Sequence, residues 1–218
     1  MEFAVDSGWP ILAGGAVLVR HAGKRKGHVR RGVRVSTRAA SPLQPSPLDL
    51  VADSVRILGI DPGSQITGFG IVDIVGNRTT AVEWGSIRTG GEHSARLRNI
   101  FLAVGQVVRE YRPTEIAIER VFLSRHADSA LKLGQARAAA ICATFDVNVP
   151  IYEYSARHIK KAVVGSGAAE KDQVQRMVQM ILGVRDAIAA DAADALAAAI
   201  CHANERTVRS ALQAVGRA

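Results

Sequence analysis

The chain has 218 residues, of which 48% are apolar and 22% are charged, proportions that are typical of a globular protein. Its net charge of +8 favours an anionic partner, with nucleic acid as the first candidate. The two cysteines, Cys142 and Cys201, exclude a disulfide framework and a zinc site, and we expect both to be small core residues in a reducing compartment. The longest early apolar run, residues 11–19, is too short to span a bilayer, so we expect no membrane segment.

Residues 1–53 differ in composition from the rest of the chain. They contain eight Lys and Arg but only four Asp and Glu, and Pro42, Pro45 and Pro47 crowd their C-terminal part. This composition, without a helical or strand periodicity, predicts a disordered basic extension. Three interpretations remain open: the segment precedes the true start of translation, it is a basic arm that contacts DNA, or it is an Arg- and Ser-rich organelle-targeting peptide.

From residue 54 onwards, hydrophobic periodicity predicts the order of strands and helices. Strands are predicted near 55–61, 67–74, 79–88, 115–119 and 149–154. Helices are predicted near 94–111, 126–145, 155–164, 170–182 and 190–206. The first three strands suggest an antiparallel meander, and the later alternation indicates an α/β fold whose mixed five-stranded sheet is flanked by helices on both faces. We expect a globular domain over 54–206 and a C-terminal tail over 207–218.

Four acidic residues stand where this fold would hold them rigidly. Asp61 directly follows a buried strand, and Glu119 ends the strand IAIE. Asp191 and Asp194 are three residues apart on an Ala-rich helix and therefore share a face. An ordinary Asp-Pro-Gly turn and an Asp helix cap remain the alternatives. Together, four carboxylates without a Cys or His cluster favour Mg²⁺ or Mn²⁺, and two such ions can promote hydrolysis of a phosphodiester.

Five segments of the sequence follow one another as GIDPGSQITGFGIVD, AIERVF, ADSALKLGQARAAAI, EYSARHIKKAVVGSGAAEKDQVQ and DAADALAAAI. In this order they resemble motifs of the RuvC family of bacterial crossover junction endodeoxyribonucleases. Each motif alone is a modest signal, but five motifs at family spacing are highly specific. The resemblance implies a ribonuclease-H-like fold, and Mg²⁺-dependent, symmetric nicking of Holliday junctions by a homodimer. The extension 1–53 and the tail after residue 204 lie outside the resemblance.

The resemblance also implies roles for particular residues and partners. The family's four catalytic, metal-binding carboxylates correspond to Asp61, Glu119, Asp191 and Asp194, which would hold two Mg²⁺ per subunit or Mn²⁺ in their place. The substrate would be four-way junction DNA, and the RuvA–RuvB branch-migration complex would be a partner. A bacterial, cytoplasmic location is implied, with organelle targeting by the extension as the minor alternative.

Basic and aromatic residues close to these carboxylates in sequence are candidate DNA contacts. By resemblance, Phe122 is the family's base-stacking aromatic, and Lys160 and Lys171 are its two functional lysines. Arg120 and Lys132 are further candidates, because phosphate contacts near the acidic residues would position the duplex. The alternatives are a core anchor for Phe122 and an ordinary solvated face for the basic residues.

Two other functions fit parts of this pattern. The segment GIDPGSQITGFG also resembles the first phosphate loop of actin-like phosphotransferases, but the chain lacks room for a second lobe and shows no second phosphate loop. A junction-binding protein without catalytic activity would tolerate loss of the carboxylates, yet all four are present. A metal-dependent nicking assay on junction DNA distinguishes the three functions.

Overall fold

The computed structural model describes residues 17–22, 54–120 and 127–215. Six strands and five helices follow one another along these residues. In chain order they are β1 (Val17–Ala22), β2 (Val55–Asp61), β3 (Ile66–Val75), β4 (Arg78–Arg88), α1 (His93–Tyr111), β5 (Glu115–Arg120), α2 (Ala127–Cys142), β6 (Ile151–Ser155), α3 (Ala156–Val164), α4 (Lys171–Leu182) and α5 (Ala190–Val215).

The strands form one mixed sheet in the order β1-β4-β3-β2-β5-β6. The β1–β4, β4–β3 and β3–β2 pairs are antiparallel, which confirms the predicted meander, and β5 and β6 continue the sheet in parallel with β2. The mixed sheet with helices on both faces is confirmed, but it has one strand more than the five predicted.

The extra strand, Val17–Ala22, lies inside the extension for which we expected no regular structure, and this expectation is wrong for those six residues. Backbone pairing with the distant β4 defines this strand, and local periodicity cannot reveal such pairing.

Two hydrophobic clusters pack on opposite faces of the sheet. On one face, α3, α4 and α5 cover residues that include Ile57 and Val72. On the other face, α1 and α2 cover residues that include Leu58 and Ile60. Successive residues of a strand face opposite sides, so the continuous apolar run of β2 supplies both clusters. The site described below lies on the α5 face.

Local signals explain where the helices begin and end. Ser155 caps α3, because its hydroxyl accepts a hydrogen bond from the backbone N–H of His158. The α1 helix ends at Tyr111, as the following Pro113 predicts. The α5 helix continues to Val215, so the predicted tail is helical over residues 207–215, and the predicted helix end at 206 is wrong. Ala, Leu and Arg are strong helix formers, and no Gly or Pro interrupts 207–215.

The two cysteines lie in different environments. Cys201 is fully buried in α5, as predicted, whereas Cys142 is exposed and the prediction of a core residue is wrong. Cys142 is the last residue of α2 and follows the buried Ala140 by two positions, about 200° around the helix, so it faces away from the sheet. Within the ranges described, no helix is long and apolar enough to cross a membrane.

Candidate active site

The sheet places two of the predicted carboxylates at the ends of neighbouring strands. Ile60 of β2 pairs with Ile118 of β5 in parallel register, so the next residues, Asp61 at the end of β2 and Glu119 one residue before the end of β5, lie side by side. Both belong to the α5 face, because they alternate with the residues that face α1 and α2. On the other side of Asp61, the paired residue of β3 is Gly68.

The first turns of α5 bring the other two carboxylates to the same end of the sheet. The helix begins at Ala190, so Asp191 and Asp194 lie within it rather than at its cap position. The carbonyl of Asp191 lies directly over Gly68, the partner of Asp61 across the ladder. Asp191 and Asp194 are both only partly buried, unlike the alanines between them, so their side chains border solvent at the edge of the helix interface.

The pKa values show that the four acidic groups form one electrostatic site. The pKa of Asp61 is raised to about 8, first by burial and then by the charges of Glu119, Asp194 and Asp191, against the opposing effect of Lys171. Burial also raises the pKa of Glu119, with Asp194 as the next cause. The pKa of Asp194 is likewise raised, first by burial. Negative charge at this site is therefore poorly compensated by the protein alone.

Two of the predicted DNA-contacting lysines lie beside these carboxylates. Lys171, the first residue of α4, places its Nζ 3.6 Å from Oδ2 of Asp194, and its side chain is 76% exposed. Lys160 of α3 donates from Nζ to the carbonyl of Ala169 at 2.7 Å. Both ammonium groups lower the pKa of Glu119 and of Asp194, in opposition to burial. The site therefore has a basic border formed by α3 and α4.

The other predicted contacts are not brought to the carboxylates. Arg120 follows Glu119 directly, so it faces the opposite side of the sheet, where its Nε lies 3.6 Å from Oε2 of Glu153. Lys132 of α2 pairs with Asp128 one turn earlier, at 2.6 Å. These two residues lie on the α1 and α2 side of the molecule.

Phe122, the predicted base-stacking residue, lies outside the described residues, in the segment 121–126 between β5 and α2. Its role in stacking on a DNA base therefore stays a prediction from the sequence.

The chemistry of the site fits a divalent cation. The donors are four carboxylates, the ligand type that Mg²⁺ and Mn²⁺ prefer. Within residues 54–120 and 127–215, no three His, Cys, Asp or Glu side chains surround a common position that could hold a metal ion. Burial and three neighbouring acids raise the pKa of Asp61 although Lys171 opposes them, so the lysines do not offset all the negative charge of the site. A bound cation would supply the missing positive charge.

A buried polar network, which the sequence analysis missed, joins α5 to the sheet beyond the site. His202 is fully buried, and its Nδ1 lies 2.6 Å from the hydroxyl of Tyr154, while its Nε2 lies 2.6 Å from Oε2 of Glu115. Arg206 donates from Nε to the other oxygen of Glu115 at 3.1 Å. Burial lowers the pKa of His202, although the hydrogen bond to Glu115 opposes this shift. The network fixes α5 against β5 and β6, the strands next to the site.

Strand order, helices on both faces and acidic residues at the ends of neighbouring central strands define an α/β protein of the ribonuclease-H-like class. The family model described as "Crossover junction endodeoxyribonuclease RuvC" matches residues 57–202. The chain belongs to the RuvC family of crossover junction endodeoxyribonucleases.

Proteins that carry the RuvC name are similar to this chain over most of their length. A RuvC of Geobacter sulfurreducens is 49% identical over 163 residues, which are 74% of this chain and 99% of that protein. A RuvC of a Shewanella species, strain ANA-3, is 54% identical over 147 residues, which are 67% of this chain and 85% of that protein.

Solved structures show the same fold. The Thermus thermophilus RuvC structure is 32% identical, with a TM-score of 0.65, and the match covers 71% of this chain and 96% of that one. The same protein in complex with a Holliday junction substrate is 30% identical, with a TM-score of 0.63 and the same coverage.

Proposed function

We propose that this protein resolves Holliday junctions, by symmetric hydrolysis of phosphodiester bonds in two strands of a four-way DNA junction during recombination and repair. The observation that carries the proposal is the convergence of Asp61, Glu119, Asp191 and Asp194 in a member of the RuvC family. A junction-bound relative of known structure supports the same substrate.

The residues of the site have separate roles in this proposal. The four carboxylates would hold two Mg²⁺, or Mn²⁺ in their place. When bound, such ions supply activation of water and stabilisation of the leaving oxygen. Lys160 and Lys171 would attract the scissile phosphate to the basic border of the site, since their ammonium groups already lie beside Glu119 and Asp194. Asp61 would contribute its carboxylate from β2, a strand that is hydrogen-bonded on both sides.

Cleavage of a synthetic four-way junction tests the proposal. The wild-type protein should nick the junction with Mg²⁺, and not with EDTA, and should leave a linear duplex of the same sequence intact. Asp61→Asn keeps the shape of the side chain but removes its charge, so nicking should fall at least about 100-fold while junction binding survives. Asp146→Asn, an exposed carboxylate in the turn after α2, is the matched control. Wild-type-like nicking by Asp61→Asn would refute the site.

We also propose that the active form is a homodimer that pairs through α2. One set of carboxylates makes one site, so two symmetric cuts call for two copies. Leu131 of α2 is 66% exposed and Phe101 of α1 is 43% exposed. Beside Leu131 lies an apolar depression of about 500 Å³, lined by Ala127, Ala130, Leu131, Gly134, Gln135 and Ala138. These small side chains would let a second α2 approach closely.

Sedimentation tests the dimer directly. Leu131→Asp should convert a dimer at micromolar concentration into a monomer and abolish paired nicking, because a charge would be buried at the interface. Met180→Asp is the matched control, since Met180 is 74% exposed on α4, away from α2. A wild-type protein that is monomeric and still makes paired cuts would contradict the dimer.

Three further expectations follow from family membership. The RuvA–RuvB branch-migration complex would deliver the junction, and the protein would act in the bacterial cytoplasm. Residues 54–206 would form the working nuclease domain, with the extension 1–53 dispensable for cleavage.

A further inference from the structure

The α5 helix lies unusually close to the sheet where the active site forms. A Cβ atom added to Gly68 of β3 would overlap the carbonyl oxygen of Asp191. A Cβ atom added to Gly59 of β2 would overlap the carbonyl oxygen of Ala195 and come within 3.0 Å of Cβ of Ala199. No rearrangement of a side chain can relieve an overlap with a helix backbone, so both positions exclude every residue larger than glycine while α5 stays in place.

A third glycine completes this contact. Gly70 of β3 pairs with Gly59 across the ladder, and a Cβ atom there would lie 2.6 Å from Cγ of Leu196. Gly68 in turn pairs with Asp61. The three glycines therefore lie on two rungs that are separated by the Ile60–Phe69 rung, on the same face as Asp61, and we name Gly59, Gly68 and Gly70 the glycine contact.

The glycine contact determines how far the two halves of the site stand apart. Asp61 and Glu119 are fixed on strands, whereas Asp191 and Asp194 are fixed on α5, so the spacing between helix and sheet sets the spacing between the carboxylate pairs. Among the three glycines, Gly68 lies nearest to both carboxylate pairs, because it lies below Asp191 and beside Asp61. We propose that Gly68 is a positioning residue for the metal site, which keeps Asp191 and Asp194 within reach of a cation held by Asp61 and Glu119.

This inference rests on the proposed function, and binding of Mn²⁺ to the free protein tests it apart from catalysis. Gly68→Ala should push the start of α5 away from the sheet and weaken Mn²⁺ binding, measured by calorimetry, at least about 10-fold, as expected for a residue that supports metal ligands. Junction affinity in EDTA should stay unchanged. The Mg²⁺ concentration for half-maximal nicking should rise by a similar factor, so that excess Mg²⁺ restores part of the rate.

Two control variants separate positioning from general damage. Gly90→Ala adds a methyl group where no atom lies within 4 Å, so it should bind Mn²⁺ like the wild type. Val107→Ala removes buried methyl groups on the opposite face of the sheet, so it should lower stability without changing Mn²⁺ affinity. Wild-type Mn²⁺ affinity in folded Gly68→Ala would overturn the inference, as would an equal loss in Val107→Ala.

If Gly68→Ala does not fold, Gly70→Ala decides the question, because the two atoms nearest to its Cβ, Cγ and Cδ2 of Leu196, belong to a side chain, and the backbone nitrogen of Leu196 lies further away at 3.0 Å. A loss of Mn²⁺ affinity of at least about threefold in Gly70→Ala would support positioning, and an unchanged affinity would overturn it. Asp61→Asn tests the proposed function in the same assay. Should Asp61→Asn bind Mn²⁺ normally, the site itself is wrong; should it lose Mn²⁺ while Gly68→Ala does not, only the role of Gly68 is wrong.

Discussion

The buried carboxyl of Asp61 should make the metal-free protein less stable as the pH rises. Its pKa is raised from 3.8 to about 8 in the folded protein, first by burial and then by the neighbouring acids. Between these values the unfolded chain has released this proton while the folded chain retains it. The folded state therefore binds more protons, and the free energy of unfolding falls with increasing pH until the folded pKa is passed.

The magnitude follows from the width of this window. Each pH unit inside it changes the free energy of unfolding by about 1.4 kcal/mol for one proton. In Asp61→Asn the group carries no titrating proton in either state, so this contribution disappears. Between about pH 5 and about pH 7.5, the wild-type protein should therefore lose about 3 kcal/mol of stability relative to Asp61→Asn.

Urea denaturation of both proteins in EDTA, at the two pH values, measures this difference. Titrating groups outside the site contribute equally to both proteins, so the comparison isolates Asp61 together with its coupling to Glu119, Asp194 and Asp191. At the higher pH, Asp61→Asn should be the more stable protein while being inactive, and added Mg²⁺ should stabilise the wild type more than the variant. Parallel pH profiles for the two proteins would show that Asp61 is not a buried, proton-retaining group, and the electrostatic description of the site would then fail.

Four other outcomes are expected. His202→Ala should lower the free energy of unfolding by about 3 kcal/mol, since it leaves a cavity and removes the hydrogen bonds to Tyr154 and Glu115; a urea midpoint close to the wild type would contradict the network. Lys171→Gln removes a charge that lowers the pKa of Asp194, so the acidic limb of the pH–rate profile for nicking should move to higher pH, and an unmoved limb would argue against this contact. A chain that starts at Val55 should fold and cleave normally, whereas a tenfold loss of junction affinity with a smaller salt dependence, on the order expected for lost phosphate contacts, would identify the extension as a DNA-binding arm. Phe122→Ala should weaken cleavage through the loss of roughly 1–3 kcal/mol of base stacking while the melting temperature holds; a large fall in melting temperature with normal activity of the folded fraction would indicate a core anchor.

The sequence predicted the strand-borne part of the site because it depends on local signals. A buried apolar run followed by an acid, as at Asp61 and Glu119, defines both a strand and its end. The spacing of Asp191 and Asp194 defines a shared helix face in the same way. The alternation along β5 also predicts the face of Arg120, since adjacent strand residues point to opposite sides, so its proximity to Glu119 in sequence does not place it at the site.

The remaining features depend on contacts between distant parts of the chain. His202 and Glu115 are 87 positions apart, and neither stands in a pattern that predicts a partner. The edge strand β1 is defined by its pairing with the distant β4. From the local sequence alone, the glycines of β2 and β3 predict turns or weakened strands. The close approach of α5 is what requires glycine at these positions.

The central position of β2 has a consequence for native-state hydrogen exchange. This strand is bonded on both sides, to β3 and β5, and contributes Ile57 to one hydrophobic cluster and Leu58 to the other. Its amides cannot open unless both helical layers separate from the sheet, so they should exchange with solvent only through global unfolding. Asp61 would then be attached to the slowest-exchanging segment of the molecule, and its position would fluctuate least among the four carboxylates.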